Sequence, residues 1–217
     1  MKIGFQNVRG LGSSEFKRKR VLEEIERNDF DCFAICEANL GQSKIQTLRY
    51  DMEASRSYIT IGAFDKCDII LDPRHPSKEK SISVVCVLKN CWAQRMIKRE
   101  TFCSRAINLH FNIRSMLINL IFIHRPNNNT SEFDRKIKKW ISEARRRGAR
   151  VLVIGDHNYV QCKDRDRKRN YNIVDSISQG IEAYEEFEFI DIWRMLHPNE
   201  LAFTHICQTS AAVYKSR

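Results

Sequence analysis

The sequence contains no Cys-x-x-Cys pair, no long apolar run, no internal repeat, no low-complexity tract and no linker-like stretch. Each absence removes a class of protein. No apolar run approaches the ~18 residues that a membrane helix needs, and nothing ahead of the first strand-like segment reads as a secretory signal. The eight cysteines lack zinc spacing, with Cys32 and Cys36 four apart and Cys86 and Cys91 five apart. Most lie in apolar stretches such as Phe30–Cys36 and Val84–Leu88, where Cys behaves as a small hydrophobe, so the chain reads as intracellular and reduced. Without repeats or linkers, residues 1–217 are expected to form a single domain, a little above the usual ~100–200 residues.

What is present is a core-forming, basic chain. The hydrophobic share is 42%, enough for a substantial core. Net charge is +10 and the pI ≈ 9.3, which points to a polyanionic partner. The excess falls in three runs: Lys17–Arg20, Arg145–Arg147 with Arg150, and Lys163–Arg169. Each run alone fits a solvated helix face or loop; together they favour nucleic acid. The first is also a weak candidate for a nuclear address.

Strands and helices alternate. Lys2–Asn7 reads as a short strand followed by a turn over Arg9–Ser14. Ser14 can cap a helix from Glu15 to about Asn28, with Val21, Leu22 and Ile25 on one face. Cys32–Cys36 is too short for a helix and reads as a buried strand ending at Glu37. Further strands are expected over Ile82–Leu88, Arg105–Ile113 and Leu117–Ile123, the last two joined by a hairpin at Asn112–Ser115. Ser131 can cap a helix that runs through Trp140 and Ala144 to near Gly148. Val151–Ile154 is another buried strand, opening onto Gly155-Asp156-His157-Asn158. A helix is expected over Ile173–Phe187 and a strand starting at Phe203–Ile206.

Several of these strands end in a polar residue: Asn7, Glu37, His124 and Asp156/Asn158. In layered α/β proteins, sites gather at strand ends, so four such ends suggest one shared pocket. A carboxylate (Glu37) and a carboxamide (Asn7), with no thiolate, are hard oxygen donors suited to Mg²⁺. Asp156 can orient and deprotonate a water. Asn158 can donate its amide N–H to a phosphate oxygen. The bland alternatives are that Asn7 closes a turn and that Glu37 caps or sits on the surface. Asp156-His157-Asn158 after a Val-Leu-Val-Ile-Gly strand is the most specific signal, since the glycine permits a sharp exit.

Four segments, FQNVRGL (Phe5–Leu11), ICEANL (Ile35–Leu40), IFIHRPN (Ile121–Asn127) and VLVIGDHN (Val151–Asn158), resemble the ordered motifs of the endonuclease/exonuclease/phosphatase superfamily. Phe189–His205 and Ser104-Arg105-Ala106-Ile107 are similar to the apurinic-type endonuclease domain of non-LTR (LINE-like) retrotransposons. Gln42–Lys80 is the weakest stretch, and Tyr58–Lys80 looks like a variable loop region. The resemblance implies an α/β fold, a two-sheet β-sandwich flanked by helices in the four-layer DNase I-like arrangement. It implies Mg²⁺ (or Mn²⁺) at Asn7 and Glu37, a water-orienting Asp156, a phosphate-stabilising Asn158, and Asn127 near the scissile phosphate. The implied partner is DNA in the nucleus, nicked to prime reverse transcription. No organic cofactor, membrane or obligate protein partner is implied.

The sequence departs from that pattern in three ways. His124 stands where a tyrosine is usual and can still hydrogen-bond a phosphate. His157 stands at an often apolar or aromatic position and reads as packing, as does His205. Family members continue beyond a Ser-Arg pair with an aspartate-bearing strand and a Ser-Asp-His segment, whereas Ser216-Arg217 ends this sequence. The last strands are therefore expected to be missing, a sheet edge to be uncovered, and nicking to be weak or absent; one lost transition-state donor costs about 10²–10³ in rate. The alternatives are a non-catalytic remnant that binds DNA, or a phosphoesterase acting on another phosphate ester.

Overall fold

A computed structural model describes residues 1–11, 14–41, 46–48, 50–51, 58–62, 82–127, 130–158, 184–200, 205–209 and 212–216. Met1–His157 and Asn158–Arg217 form separate compact units.

The first unit holds two mixed four-stranded sheets. One has the order β1-β2-β4-β3, from Ile3–Asn7 (β1), Cys32–Cys36 (β2), Tyr58–Gly62 (β3) and Val85–Lys89 (β4). The other has the order β5-β6-β7-β8, from Met96–Phe102, Ala106–Ile113, Met116–His124 and Arg150–Asp156. Strand alternation turns Ile107, Leu109 and Phe111 of β6 and Leu120 and Phe122 of β7 into a core shared with β2 and β4. Among the described pairings each sheet has one parallel pair, β1 with β2 and β7 with β8. With its two sheets and flanking helices, the chain has the DNase I-like α/β fold.

Helix α1 (Glu15–Arg27) begins as its sequence dictates. The Ser14 hydroxyl accepts from the Lys17 N–H at 3.2 Å, and Val21, Leu22 and Ile25 are buried. Helix α2 (Asn90–Ala93) is a single turn. Helix α3 (Ser131–Arg146) buries Phe133, Ile137, Trp140, Ile141 and Ala144. Its N-cap is Thr130 instead of Ser131; the Thr130 hydroxyl makes no capping bond and accepts from Arg125 Nη2 at 3.0 Å. Arg125 is only 2% exposed and grips Asp134 with Nε–Oδ1 at 2.9 Å and Nη2–Oδ2 at 2.8 Å. That bidentate pair fastens the loop after β7 to the first turn of α3.

Two other expectations shift, and one strand had not been expected. Tyr58–Gly62 is a strand, paired with β4, although it opens a stretch read as loop. Ile82 precedes β4 in an isolated bridge to Leu40. The edge strand β5 carries Lys98, Arg99 and Glu100 and shows no apolar alternation. Cys32, Cys36 and Cys86 are buried free thiols, as their apolar contexts required. No described helix is long and apolar enough to cross a membrane.

In the second unit, helix α4 (Ile192–Leu196) is capped by Asp191, whose Oδ1 accepts from the Arg194 N–H at 2.9 Å. His205–Thr209 (β9) and Ala212–Ser216 (β10) form an antiparallel pair. The expected helix over Ile173–Phe187 lies outside the described residues except for 184–187, of which 184–186 are helical, and the basic run Lys163–Arg169 lies outside them entirely.

Candidate active site

The two parallel pairs end side by side. In the first sheet Asn7 lies opposite Cys36, and Glu37 follows. In the second, His124 lies opposite Asp156. The sheets touch here, where the Cys36 thiol donates to the Ile123 carbonyl at 3.3 Å. Asn7, Glu37, His124 and Asp156, all expected from the sequence, are thereby brought together.

One amide ties the cluster. Asn7 Nδ2 donates to Glu37 Oε1 at 2.9 Å and to Asp156 Oδ2 at 2.8 Å, across 149 residues of sequence in the second case. Asn7 Oδ1 accepts from the Arg9 N–H at 3.1 Å. Both contacts demand the same amide orientation, since the carboxylates only accept and the backbone N–H only donates. Asn7 is therefore a clamp on the two carboxylates.

Glu37 is held in the left-handed region, at φ 51. A non-glycine residue there costs roughly 1–3 kcal/mol and persists only where its surroundings fix it. They do: Gly10 N–H donates to the Glu37 carbonyl, Leu11 N–H to Ala38 and Ala38 N–H to Ser83. Gly155 solves a different problem. Its φ is 152, and a Cβ there would lie 2.0 Å from the Ile123 carbonyl oxygen. The glycine lets β8 close on β7 just before Asp156. The sequence suggested a sharp exit, and the need is close strand approach.

His124 is 8% exposed, with Nε2 3.7 Å from Glu37 Oε1. Its Nδ1 meets the Ser83 hydroxyl and, at 3.2 Å, Arg105 Nη1. Burial, then the Arg105 charge, hold the imidazole pKa below its ordinary value against the opposing pull of Asp156 and Glu37. That shift favours the neutral ring. Sequence reasoning assigned no role to Ser83 or Arg105, although Arg105 stood in the quoted Ser104–Ile107 motif. Asn127 and Asn158 are exposed, three and two residues beyond His124 and Asp156, and Asn158 adopts φ 50.

The donor set fits a hard divalent cation. Ligand atoms of Glu37, His124 and Asp156 lie within 4.8 Å of one another. Two carboxylates this close repel, and a cation would neutralise both. The nearest thiol, Cys36, offers no thiolate: burial, with the Asp156 and Glu37 charges, pushes its pKa up to about 12.

No protein-family model matches the chain, and no curated protein matches it. Solved structures do match in fold. The AP endonuclease LMAP of Leishmania major superposes with a TM-score of 0.71 at 13% identity, over 98% of this chain and 78% of the other. The catalytic domain of Xenopus laevis APE2 gives 0.69 at 15% identity, over 100% and 82%. The endonuclease domain of TRAS1, a telomere-specific non-LTR retrotransposon, gives 0.55 at 10% identity, over 98% and 80%. At these identities the likeness establishes the fold.

Proposed function

We propose that this chain is a divalent-metal-dependent phosphodiesterase domain of retroelement origin that nicks DNA. The observation that carries the reading is the pair Glu37 and Asp156, one from each sheet, held on the single amide of Asn7 at the ends of two parallel strand pairs. Such a convergence is costly to build and has an evident use in binding a cation beside a phosphate. The fold likeness to the AP endonuclease LMAP, to the APE2 catalytic domain and to the TRAS1 endonuclease domain supports the substrate class, as does the +10 charge. The motif resemblance to LINE-like elements supports the retroelement origin and a role in priming reverse transcription. A nuclear location follows from a genomic DNA substrate.

Each residue then has a task. Glu37 would hold Mg²⁺ with Asn7 beside it. Bound Mg²⁺ supplies neutralisation of phosphate charge. Asp156 orients the attacking water and takes its proton. Asn158 and His124 donate hydrogen bonds to phosphate oxygens, and Asn127 lies by the scissile phosphate.

The test is conversion of supercoiled plasmid to the nicked circle with and without Mg²⁺, for wild type, Glu37→Ala and Asp156→Ala. Mg²⁺-dependent nicking by the wild type, lost in both variants, is expected; equal cleavage by all three would discard the site. Salt-sensitive DNA binding without nicking by any of them would instead identify a non-catalytic DNA-binding domain.

A further inference from the structure

The two ring nitrogens of His124 have chemically different neighbours. Nδ1 faces the Ser83 hydroxyl and Arg105 Nη1, at 3.2 Å from the latter. Nε2 faces Glu37 Oε1 at 3.7 Å. A guanidinium has donors only and keeps its charge. The same Nη1 also reaches the His124 carbonyl, but at 3.5 Å, so the ring nitrogen at 3.2 Å is the nearer acceptor and is favoured to offer a lone pair. With a proton on Nδ1, two N–H groups would oppose each other at a ring that is itself buried. The Ser83 hydroxyl can donate or accept, so it adapts to either ring form. Arg105 makes the choice, and the proton goes to Nε2.

The backbone fixes Arg105 in this place. His124 N–H donates to the Arg105 carbonyl at 2.8 Å, and Arg105 N–H donates to Phe102 at 2.9 Å. Ala106, the next residue, pairs with Ile123 in the sheet. Ser83 and Val84 donate their N–H groups to the Ser104 carbonyl, which brings the entry to β4 against the start of β6 behind the imidazole.

We propose that Arg105 is a positioning residue that holds His124 as the Nε2–H tautomer, making His124 a hydrogen-bond donor to a phosphate oxygen and not a metal ligand. Metal ligation through Nε2 needs the lone pair that this tautomer lacks. The Glu37, His124 and Asp156 grouping, which by distance alone could be a three-ligand cation site, then reduces to two carboxylates with a directed N–H beside them. The 3.7 Å to Glu37 is beyond a hydrogen bond, so that N–H is not spent on the carboxylate. The phosphate half of the inference rests on the phosphodiesterase reading; the tautomer and the ligand set do not.

His110 supplies an internal reference. Its Nδ1 meets Arg147 Nη2 at 3.0 Å and Asn119 Nδ2 at 3.2 Å, both donors, and its Nε2 lies 2.9 Å from Glu100 Oε2. The same reasoning gives the same tautomer, here with a carboxylate taking the Nε2–H.

Long-range ¹H–¹⁵N NMR of the full chain, labelled at histidine nitrogens and recorded near neutral pH, reads both tautomers. His124→Gln assigns the His124 signals. In the wild type both His124 and His110 should show protonated Nε2. Arg105→Met should admit the Nδ1–H form of His124, donating to Ser83, while leaving His110 unchanged. Arg105→Lys, which restores a donor, should restore the wild-type pattern, and Ser83→Ala should preserve it. A wild-type His124 protonated on Nδ1, or a tautomer that flips in Ser83→Ala and not in Arg105→Met, overturns the proposal. If Arg105→Met does not fold, shown by loss of the His110 pattern, the wild-type and Ser83→Ala spectra still decide.

Calorimetry with Mg²⁺ tests the ligand set. His124→Gln should change affinity by less than the ~10-fold that even lost outer support for a ligand costs, whereas Glu37→Gln should exceed it. Equal losses would make His124 a ligand and refute the inference. In single-turnover nicking, Arg105→Met should slow the rate, by at most the ~10²–10³-fold that losing one transition-state donor costs, at unchanged Mg²⁺ affinity, with Arg105→Lys recovering most of it. A wild type that never nicks rejects the phosphodiesterase reading and the phosphate acceptor with it, while the spectra decide the tautomer.

Discussion

The carboxylate pair sets a measurable conflict between stability and function. Glu37 and Asp156 present oxygens within 4.8 Å. Two unit charges at that separation repel by about 3.5 kcal/mol at an effective dielectric of 20, and by about 0.9 kcal/mol in bulk water. Glu37's side chain is 31% exposed, so the true value lies between these limits. Asn7 offsets part of it through its two N–H bonds, which leaves a net penalty of about 1 kcal/mol. Glu37→Gln removes one charge and keeps an oxygen for Asn7. With metal chelated, this variant should be the more stable protein. For a chain of this size that is a melting temperature higher by about 2–4 °C.

Mg²⁺ should reverse the order. At a hundred times its dissociation constant a ligand that binds only the folded chain adds about 2.7 kcal/mol, and the glutamine variant should gain little of it. Thermal unfolding followed by circular dichroism, with chelator and with Mg²⁺, measures all four states. Glu37→Gly adds a separation of causes, because it also relieves the left-handed backbone at φ 51, a strain of about 1–2 kcal/mol that glycine's own flexibility partly offsets. The reasoning fails if Glu37→Gln is no more stable than wild type under chelation, or if Mg²⁺ raises both melting temperatures equally.

Three further outcomes are expected. Arg125→Met strands the Asp134 carboxylate in a nearly closed environment and should cost about 3 kcal/mol, read from denaturant unfolding; Arg125→Met with Asp134→Leu should recover most of it, and a single variant as stable as wild type would refute the buried pair. Gly155→Ala puts a methyl against the Ile123 carbonyl and should cost on the order of 3 kcal/mol, with weakened Mg²⁺ binding as Asp156 shifts; unchanged stability would show that β8 does not close on β7 as described. The third outcome concerns acid. Burial first, then Arg147 and Lys98, hold the His110 pKa below its ordinary value against Glu100, with Asn119 also on the ring. The unfolded chain therefore binds a proton at about pH 6.5 that the folded chain refuses, so stability should fall as pH drops through that value and level off below the folded pKa; His110→Gln should flatten this slope in melting curves, and an unaltered slope would exclude His110 as its source.

What could be read from the sequence was local. The Ser14 cap and the face of Val21, Leu22 and Ile25 were legible because both depend on residues within a few positions. Glu37 and Asp156 stood out because a charge ending a short apolar strand has few structural reasons to be there. Tyr58–Gly62 was not recognised, because its strand state comes from pairing with residues 23 to 31 positions later. Met96–Phe102 was missed because an exposed edge strand carries charges where an interior strand would alternate. Arg125, within the Ile121–Asn127 motif, is a buried clamp whose partner Asp134 lies in the first turn of the following helix.

The site residues themselves show where such reading stops. Asn7 was identified as an oxygen donor from its residue type, yet which end of its amide faces the site depends on Arg9 beside it and on a carboxylate 149 residues away. His124 is expected as a phosphate contact, yet the ring form proposed for it depends on Arg105, in the turn just before the neighbouring strand. In both cases the sequence specifies a side chain with two chemically opposite ends, and the fold selects one of them. The selection is made by a second polar group with donors only or acceptors only, which cannot adapt. A carboxylate, a backbone N–H and a guanidinium are such groups; a serine hydroxyl is not. The chemistry of this site is therefore fixed less by the residues that would touch the substrate than by the one-sided partners behind them.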